Sequence, residues 1–198
     1  MEDESRWTLA DITALFDGLF AVRYQTRLIR GGDEPLYIPA DAHTPYHQVI
    51  FARDFYASAL HEISHWCIAG AKRRELEDYG YWYLPDGRNA EQQRAFENAE
   101  VAPQALESLF AEASGRKFHV SVDNLNLDSA GDTVEVDRDA FAERVAQQAR
   151  RYREEGLPRR ASAFYTALQR YYREGATLTQ ACEAGRYELD QAPSLESR

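Results

Sequence analysis

The stretch 57-ASALHEISHWCIAGAKRREL-76 contains the pattern HExxH, formed by His61, Glu62 and His65. Histidines four positions apart lie on one face of a helix, so both imidazoles can reach one metal ion. In zinc peptidases the glutamate of this pattern acts as a general base beside the metal-bound water. Two histidines and a carboxylate also hold iron in non-haem oxygenases. The pattern therefore predicts a metal-binding helix, with zinc and iron both open and a purely structural helix as the remaining interpretation.

The bulk composition indicates a globular chain that binds neither nucleic acid nor membrane. At 198 residues it is long enough for one domain with a sizeable core. The net charge of -10 argues against direct nucleic-acid binding and suits a cationic partner. Cys67 and Cys182 follow no spacing pattern, the N-terminus has no basic signal region, and no apolar run could span a bilayer. We expect a cytoplasmic protein.

The periodicity of apolar residues predicts an α+β fold, a helix-dominated single domain with a small sheet. Helices are expected at about residues 7–20, 55–78 (capped by Asp54), 90–114, 137–155 and 159–174. Thr8 or Asp11 can cap the first of these helices. Short strands are expected within residues 35–40 and 47–52. We expect residues 1–184 to form the single catalytic domain and the polar residues 185–198 to form a flexible tail.

A third metal ligand is expected from the helix 95-AFENAEVAPQALESLF-110. One stripe of this helix carries acidic or amide side chains, namely Glu97, Glu100, Gln104 and Glu107. Alone, such a stripe would be a solvent-facing surface, but beside HExxH it is the natural source of a carboxylate. We favour Glu100, because Gln104 lies one turn further on and can orient it. Glu97 is its neighbour or substitute.

An aromatic run follows the HExxH helix and includes Tyr79, Tyr81 and Tyr83. Such residues most often belong to a strand or a core. Tyr81 or Tyr83 could instead hold a lysine head group, because aromatic faces attract ammonium ions. Asp86 lies in the turn after this run, in a loop that could close over the metal and contact the substrate.

Several long motifs resemble the elongation factor P hydroxylases, a bacterial family. The resemblance covers the chain from the first helix to about residue 175, in the segments 26-TRLIRGGDEPLYIPAD-41, 50-IFARDFYASALHEISHWCIAG-70, 79-YGYWYLPDGRNAEQQRAFENAEVAPQALE-107 and 120-VSVDNLN-126. It implies a zincin-like fold and an iron-type site of two histidines and one carboxylate. The implied substrate is a lysine of elongation factor P to which another enzyme has attached a β-lysyl group.

Carried over by motif, the resemblance assigns His61 and His65 as metal ligands, with Glu100, or alternatively Glu97, as the carboxylate. Glu62 would position the metal-bound oxygen species or bind the cationic substrate. Hydroxylation follows from the resemblance and not from composition or spacing. The first hypothesis is therefore an Fe(II)-dependent protein-lysine hydroxylase acting on elongation factor P. The alternatives are a Zn(II) peptidase with Glu62 as base, and a non-catalytic binding module.

Overall fold

Six α-helices and a small sheet make up the described part of the computed structural model, which comprises residues 6–53, 55–81, 88–122 and 137–191. The helices are α1 (Leu9–Phe20), α2 (Tyr56–Ile68), α3 (Ala90–Ser114), α4 (Arg138–Glu155), α5 (Arg159–Tyr172) and α6 (Leu178–Gln191). The strands are β1 (Thr26–Arg30), β2 (Leu36–Ile38) and β3 (His47–Phe51). The predicted α+β class, dominated by helices, is confirmed.

The three strands form one sheet in which β3 is central. β2 pairs with β3 in antiparallel register, and both strands lie within the two predicted strand segments. β1 pairs with β3 in parallel register and was not predicted as a strand. Leu28 of β1 and Val49 of β3 are partners, and both are buried. The sheet therefore adds one apolar layer to the helical core.

The HExxH helix α2 has one face packed into the core and one polar face that carries the two histidines. Trp66 is fully buried and packs edge-on against Phe16 of α1, with ring centroids 5.2 Å apart. Ile63 is also fully buried, whereas His61 and His65 are only partly buried. Because aromatic burial anchors one face of α2, the opposite face is held in a fixed orientation.

The helix that faces the histidines, α3, has the bounds that the sequence predicted. Asn89 and Gln92 form a reciprocal capping box at its N-terminus. Gly115 ends the helix in a left-handed conformation, with φ of 80°. Of the two predicted caps of α1, the structure has Thr8, whose side chain accepts a hydrogen bond from the backbone N–H of Asp11.

Two predicted boundaries are wrong. The helix expected to reach residue 78 ends at Ile68, and two short 3₁₀ turns follow it at Arg73–Glu75 and Glu77–Gly80. The buried side chain of Arg160 binds backbone carbonyls at this helix end, so a distant residue sets the boundary. The predicted cap, Asp54, lies outside the described residues.

The second wrong boundary concerns the expected tail. Residues 185–191 belong to α6 rather than to a flexible segment. Leu189 is fully buried, and a Cβ at Gly185 would meet α5 and α1. A few small and apolar residues are therefore enough to pack α6 against α1 and α5. Residues 192–198 lie outside the described residues.

Candidate metal centre

Helices α2 and α3 bring His61, His65 and Glu100 together. The Nε2 atoms of the two histidines lie 3.1 Å apart. Glu100 places one carboxylate oxygen 3.4 Å from Nε2 of His61 and the other 3.2 Å from Nε2 of His65. One potential donor atom from each side chain lies within 4.8 Å of the others. The three side chains can therefore face a single metal ion.

Glu100 has the ionisation state that a metal ligand needs. The residue is 6% exposed. Burial alone would raise its pKa, but the charge of His65 and a hydrogen bond with it outweigh burial and lower the pKa to about 2. Gln104 Nε2 lies 3.5 Å from a Glu100 oxygen and also donates to the Ser121 carbonyl at 2.8 Å. Gln104 thus occupies the orienting position that the sequence suggested.

Glu107 fixes the orientation of His61. Its carboxylate lies 2.9 Å from Nδ1 of His61, which leaves Nε2 to face the centre. Burial lowers the pKa of His61, but the hydrogen bond with Glu107 and the nearby carboxylates outweigh burial and raise the pKa to about 10. A carboxylate on the second ring nitrogen is a recurrent feature of metal-binding histidines. Sequence reasoning placed Glu107 in the acidic stripe but did not pair it with His61.

The side chain of Glu97 binds residues other than the two histidines. Arg144 of α4 donates to one of its carboxylate oxygens at 2.8 Å, and Gln93 donates to the other at 3.2 Å. The structure therefore brings Glu100 to the histidines, while Glu97 joins α3 to α4.

Glu62 lies in the same cleft as the three potential ligands. It makes no hydrogen bond or ion pair with the residues that the structure describes. Burial raises its pKa, and the charges of Glu100 and Asp78 act in the same direction, against the lowering effect of the two histidines. Its carboxylate is thus available to a bound molecule.

The cleft around these residues has a volume of about 1360 Å³. Tyr81 lines it and is 40% exposed, but the guanidinium of Arg73 lies over its ring at 4.2 Å. A substrate ammonium would have to share or displace that contact. Tyr83 and Asp86, the other predicted substrate contacts, lie outside the described residues. No helix in the described ranges is both long and apolar enough to cross a membrane.

The donor set fits a catalytic metal. Two imidazoles and one carboxylate leave coordination positions open, as in catalytic zinc sites and in non-haem iron oxygenases. The orienting partners Glu107 and Gln104 match the hydrogen bonding that such ligands require.

Two comparisons with known proteins point to the same enzyme family. Residues 15–182 match the family described as Elongation factor P hydroxylase. The chain is also 51% identical over 164 residues to the Elongation factor P lysine hydroxylase of Haemophilus influenzae. That alignment covers 83% of this chain and 89% of the relative, and it includes both helices that supply the three potential ligands.

Proposed function

Because the chain belongs to the elongation factor P hydroxylase family, we propose that it hydroxylates a lysine of elongation factor P at a metal ion held by His61, His65 and Glu100. The observation that carries this proposal is the convergence of these three side chains inside the family-matched region. The enzyme is then an oxidoreductase that modifies a protein lysine.

We propose Fe(II) as the metal, with Zn(II) as the alternative. Bound Fe(II) supplies the redox chemistry that activates dioxygen toward a C–H bond. The ionised Glu100 provides the anionic ligand, and Glu107 holds His61 with Nε2 toward the ion. These contacts support a preorganised centre, because the ligands are oriented before the metal arrives.

The substrate is proposed to be the lysine after another enzyme has attached a β-lysyl group, as the family resemblance implies. A long cationic side chain suits a cleft lined by Glu62, Asp78, Glu100 and Glu107. We propose that the enzyme works in the cytoplasm, because its proposed substrate is a translation factor. We further propose a zincin-like arrangement and a single catalytic domain that includes α6 up to Gln191.

A zinc peptidase would use the same histidines with Glu62 as general base. The family match and the relative in Haemophilus influenzae favour hydroxylation over this alternative. Both chemistries use two histidines and a carboxylate as ligands, so the preference for hydroxylation rests on the family match.

The test incubates purified protein with dioxygen, a reductant and either Fe(II) or Zn(II), using elongation factor P with and without the lysyl group. We expect mass spectrometry to show a gain of one oxygen on the modified lysine with Fe(II) only. His61→Ala should abolish this gain, whereas His43→Ala, on the exposed loop after β2, should not. Backbone cleavage without oxygen gain would support the peptidase instead.

A further inference from the structure

The 3₁₀ turn beside the metal centre has an unusual backbone. Asp78, Tyr79 and Gly80 all have positive φ, of 46°, 59° and 71°. A left-handed conformation is uncommon for residues other than glycine and is costly for a bulky one such as tyrosine. Two contacts hold the turn: Asp78 Oδ1 accepts from the backbone N–H of Tyr37 at 2.8 Å, and Arg73 donates to the Tyr79 carbonyl at 2.9 Å.

This backbone brings the Tyr79 ring to the metal centre. The ring stacks on Tyr37, with centroids 4.3 Å apart, and lies nearly parallel to the ring of His65 at 6.5 Å. A regular extended backbone at this position would point the side chain elsewhere. The strained backbone therefore places the ring of Tyr79 beside His65, a potential metal ligand.

The hydroxyl of Tyr79 is buried in an unusual way. The residue is 5% exposed and lines the cleft, and its oxygen has no hydrogen-bond partner within the described ranges. An unpaired buried hydroxyl costs about 1–3 kcal/mol, so such groups normally have partners. Burial raises its pKa well above the usual value, and the charge of Glu62 acts in the same direction. Tyr79 and Glu62 line the same cleft.

Asp78 adds a second carboxylate to this part of the cleft. It lines the cleft and acts electrostatically on Glu62. Arg73 also lines the cleft, but it is engaged by the Tyr79 carbonyl and the Tyr81 ring. The two carboxylates thus favour an additional cation.

We propose that Glu62, Asp78 and Tyr79 form a subsite that binds an ammonium group of the substrate lysine beside the metal centre. This inference rests on the proposed function and extends it to substrate recognition. An ammonium group has three N–H donors and no acceptor. The subsite offers two carboxylates and one phenolic oxygen, all acceptors, next to an aromatic face. A neutral side chain would leave the charges of the two carboxylates uncompensated, so the subsite favours a positively charged group.

Asp78→Asn is the sharpest variant. An asparagine amide oxygen can still accept the Tyr37 N–H, and asparagine tolerates the left-handed backbone, so the turn is kept while the charge is lost. Tyr79→Phe keeps the ring stacking and removes only the hydroxyl. Glu77→Gln is the matched control, because Glu77 is the exposed neighbour of Asp78 and does not line the cleft.

The probe is Nα-acetyl-Nε-(β-lysyl)-lysine amide, compared with the same compound with both amino groups acetylated. Binding to Fe(II)-loaded protein is measured by calorimetry without dioxygen. We expect Asp78→Asn to raise the Kd of the amine about tenfold to a hundredfold, as for loss of a charge-assisted contact. Tyr79→Phe should raise it severalfold. Neither variant should change the Kd of the acetylated compound or the affinity for Fe(II). Asp78→Asn should keep the melting temperature, and Glu77→Gln should match the wild type.

Three results would overturn the subsite: no binding of the amine to the wild type, equal binding by Asp78→Asn and the wild type, or equal weakening of both probes. Hydroxylation of elongation factor P by the same wild-type preparation is assayed in parallel. If that assay shows no oxygen gain, the proposed function is refuted. The binding assay is separate, and the effect of Asp78→Asn on the Kd of the amine still tests the subsite.

Discussion

Arg160 of α5 stabilises the end of the HExxH helix, and its loss should be costly. The residue is 5% exposed. Its Nη2 lies 3.0 Å from the Trp66 carbonyl, 3.2 Å from that of Cys67 and 2.5 Å from that of Ala69. One nitrogen carries two N–H groups, so about two full hydrogen bonds are present. Arg160→Met would leave the buried carbonyls of Trp66 and Cys67 unpaired, at about 1–3 kcal/mol each, whereas the Ala69 carbonyl would still accept from Arg74.

The expected loss of unfolding free energy is therefore about 3 kcal/mol after methionine fills part of the volume, and this lowers the melting temperature by about 6–12 °C for a domain of this size. Thermal unfolding followed by circular dichroism measures it. Arg151→Met is the control, because Arg151 is exposed and makes a surface ion pair with Glu155 that contributes at most about 0.5 kcal/mol. A shift below about 2 °C for Arg160→Met would refute the reasoning.

Three further predictions concern the metal centre and the packing of α6. Glu107→Gln should weaken Fe(II) binding about tenfold to a hundredfold, because it loosens the orientation of His61; an unchanged Kd in calorimetry would contradict this. Because the pKa of His61 is raised to about 10, its proton must leave when a metal binds. Metal affinity should then rise about tenfold per pH unit between about pH 7 and 9, and a flat profile in competition titrations would be contrary evidence. Gly185→Ala should lower stability by about 1–3 kcal/mol, because a Cβ there would lie 2.6 Å from the Ala163 carbonyl. Gly32→Ala, with open space around it, should show no such loss in the same melting assay.

Local signals made much of the fold predictable. The capping box at Asn89 and the glycine at Gly115 define α3 within the sequence itself. The end of α2 was not predictable in this way, because residues 69–76 have good helix formers and the arginine that ends the helix comes from α5. β1 was missed because its pairing with β3 is parallel and non-local. α6 was mistaken for a tail from Gly185 onward because its buried face is small and its surface polar.

The site was predictable in part. HExxH and the stripe on α3 led to His61, His65 and Glu100, and Gln104 supported Glu100 over Glu97. The partner of Glu97 on α4 and the pairing of Glu107 with His61 depend on how helices pack, which no spacing along the chain encodes. The left-handed turn that places Tyr79 carries no sequence signal either, because tyrosine is disfavoured in that conformation.

The most direct test of the central claim is oxygen gain on lysylated elongation factor P, compared between Glu100→Gln and Glu97→Gln. Both variants remove one carboxylate charge from the same helix, three positions apart. If His61, His65 and Glu100 hold the Fe(II), Glu100→Gln should lose Fe(II) binding and oxygen gain together, while Glu97→Gln retains both. Full activity and metal binding in Glu100→Gln would contradict the account.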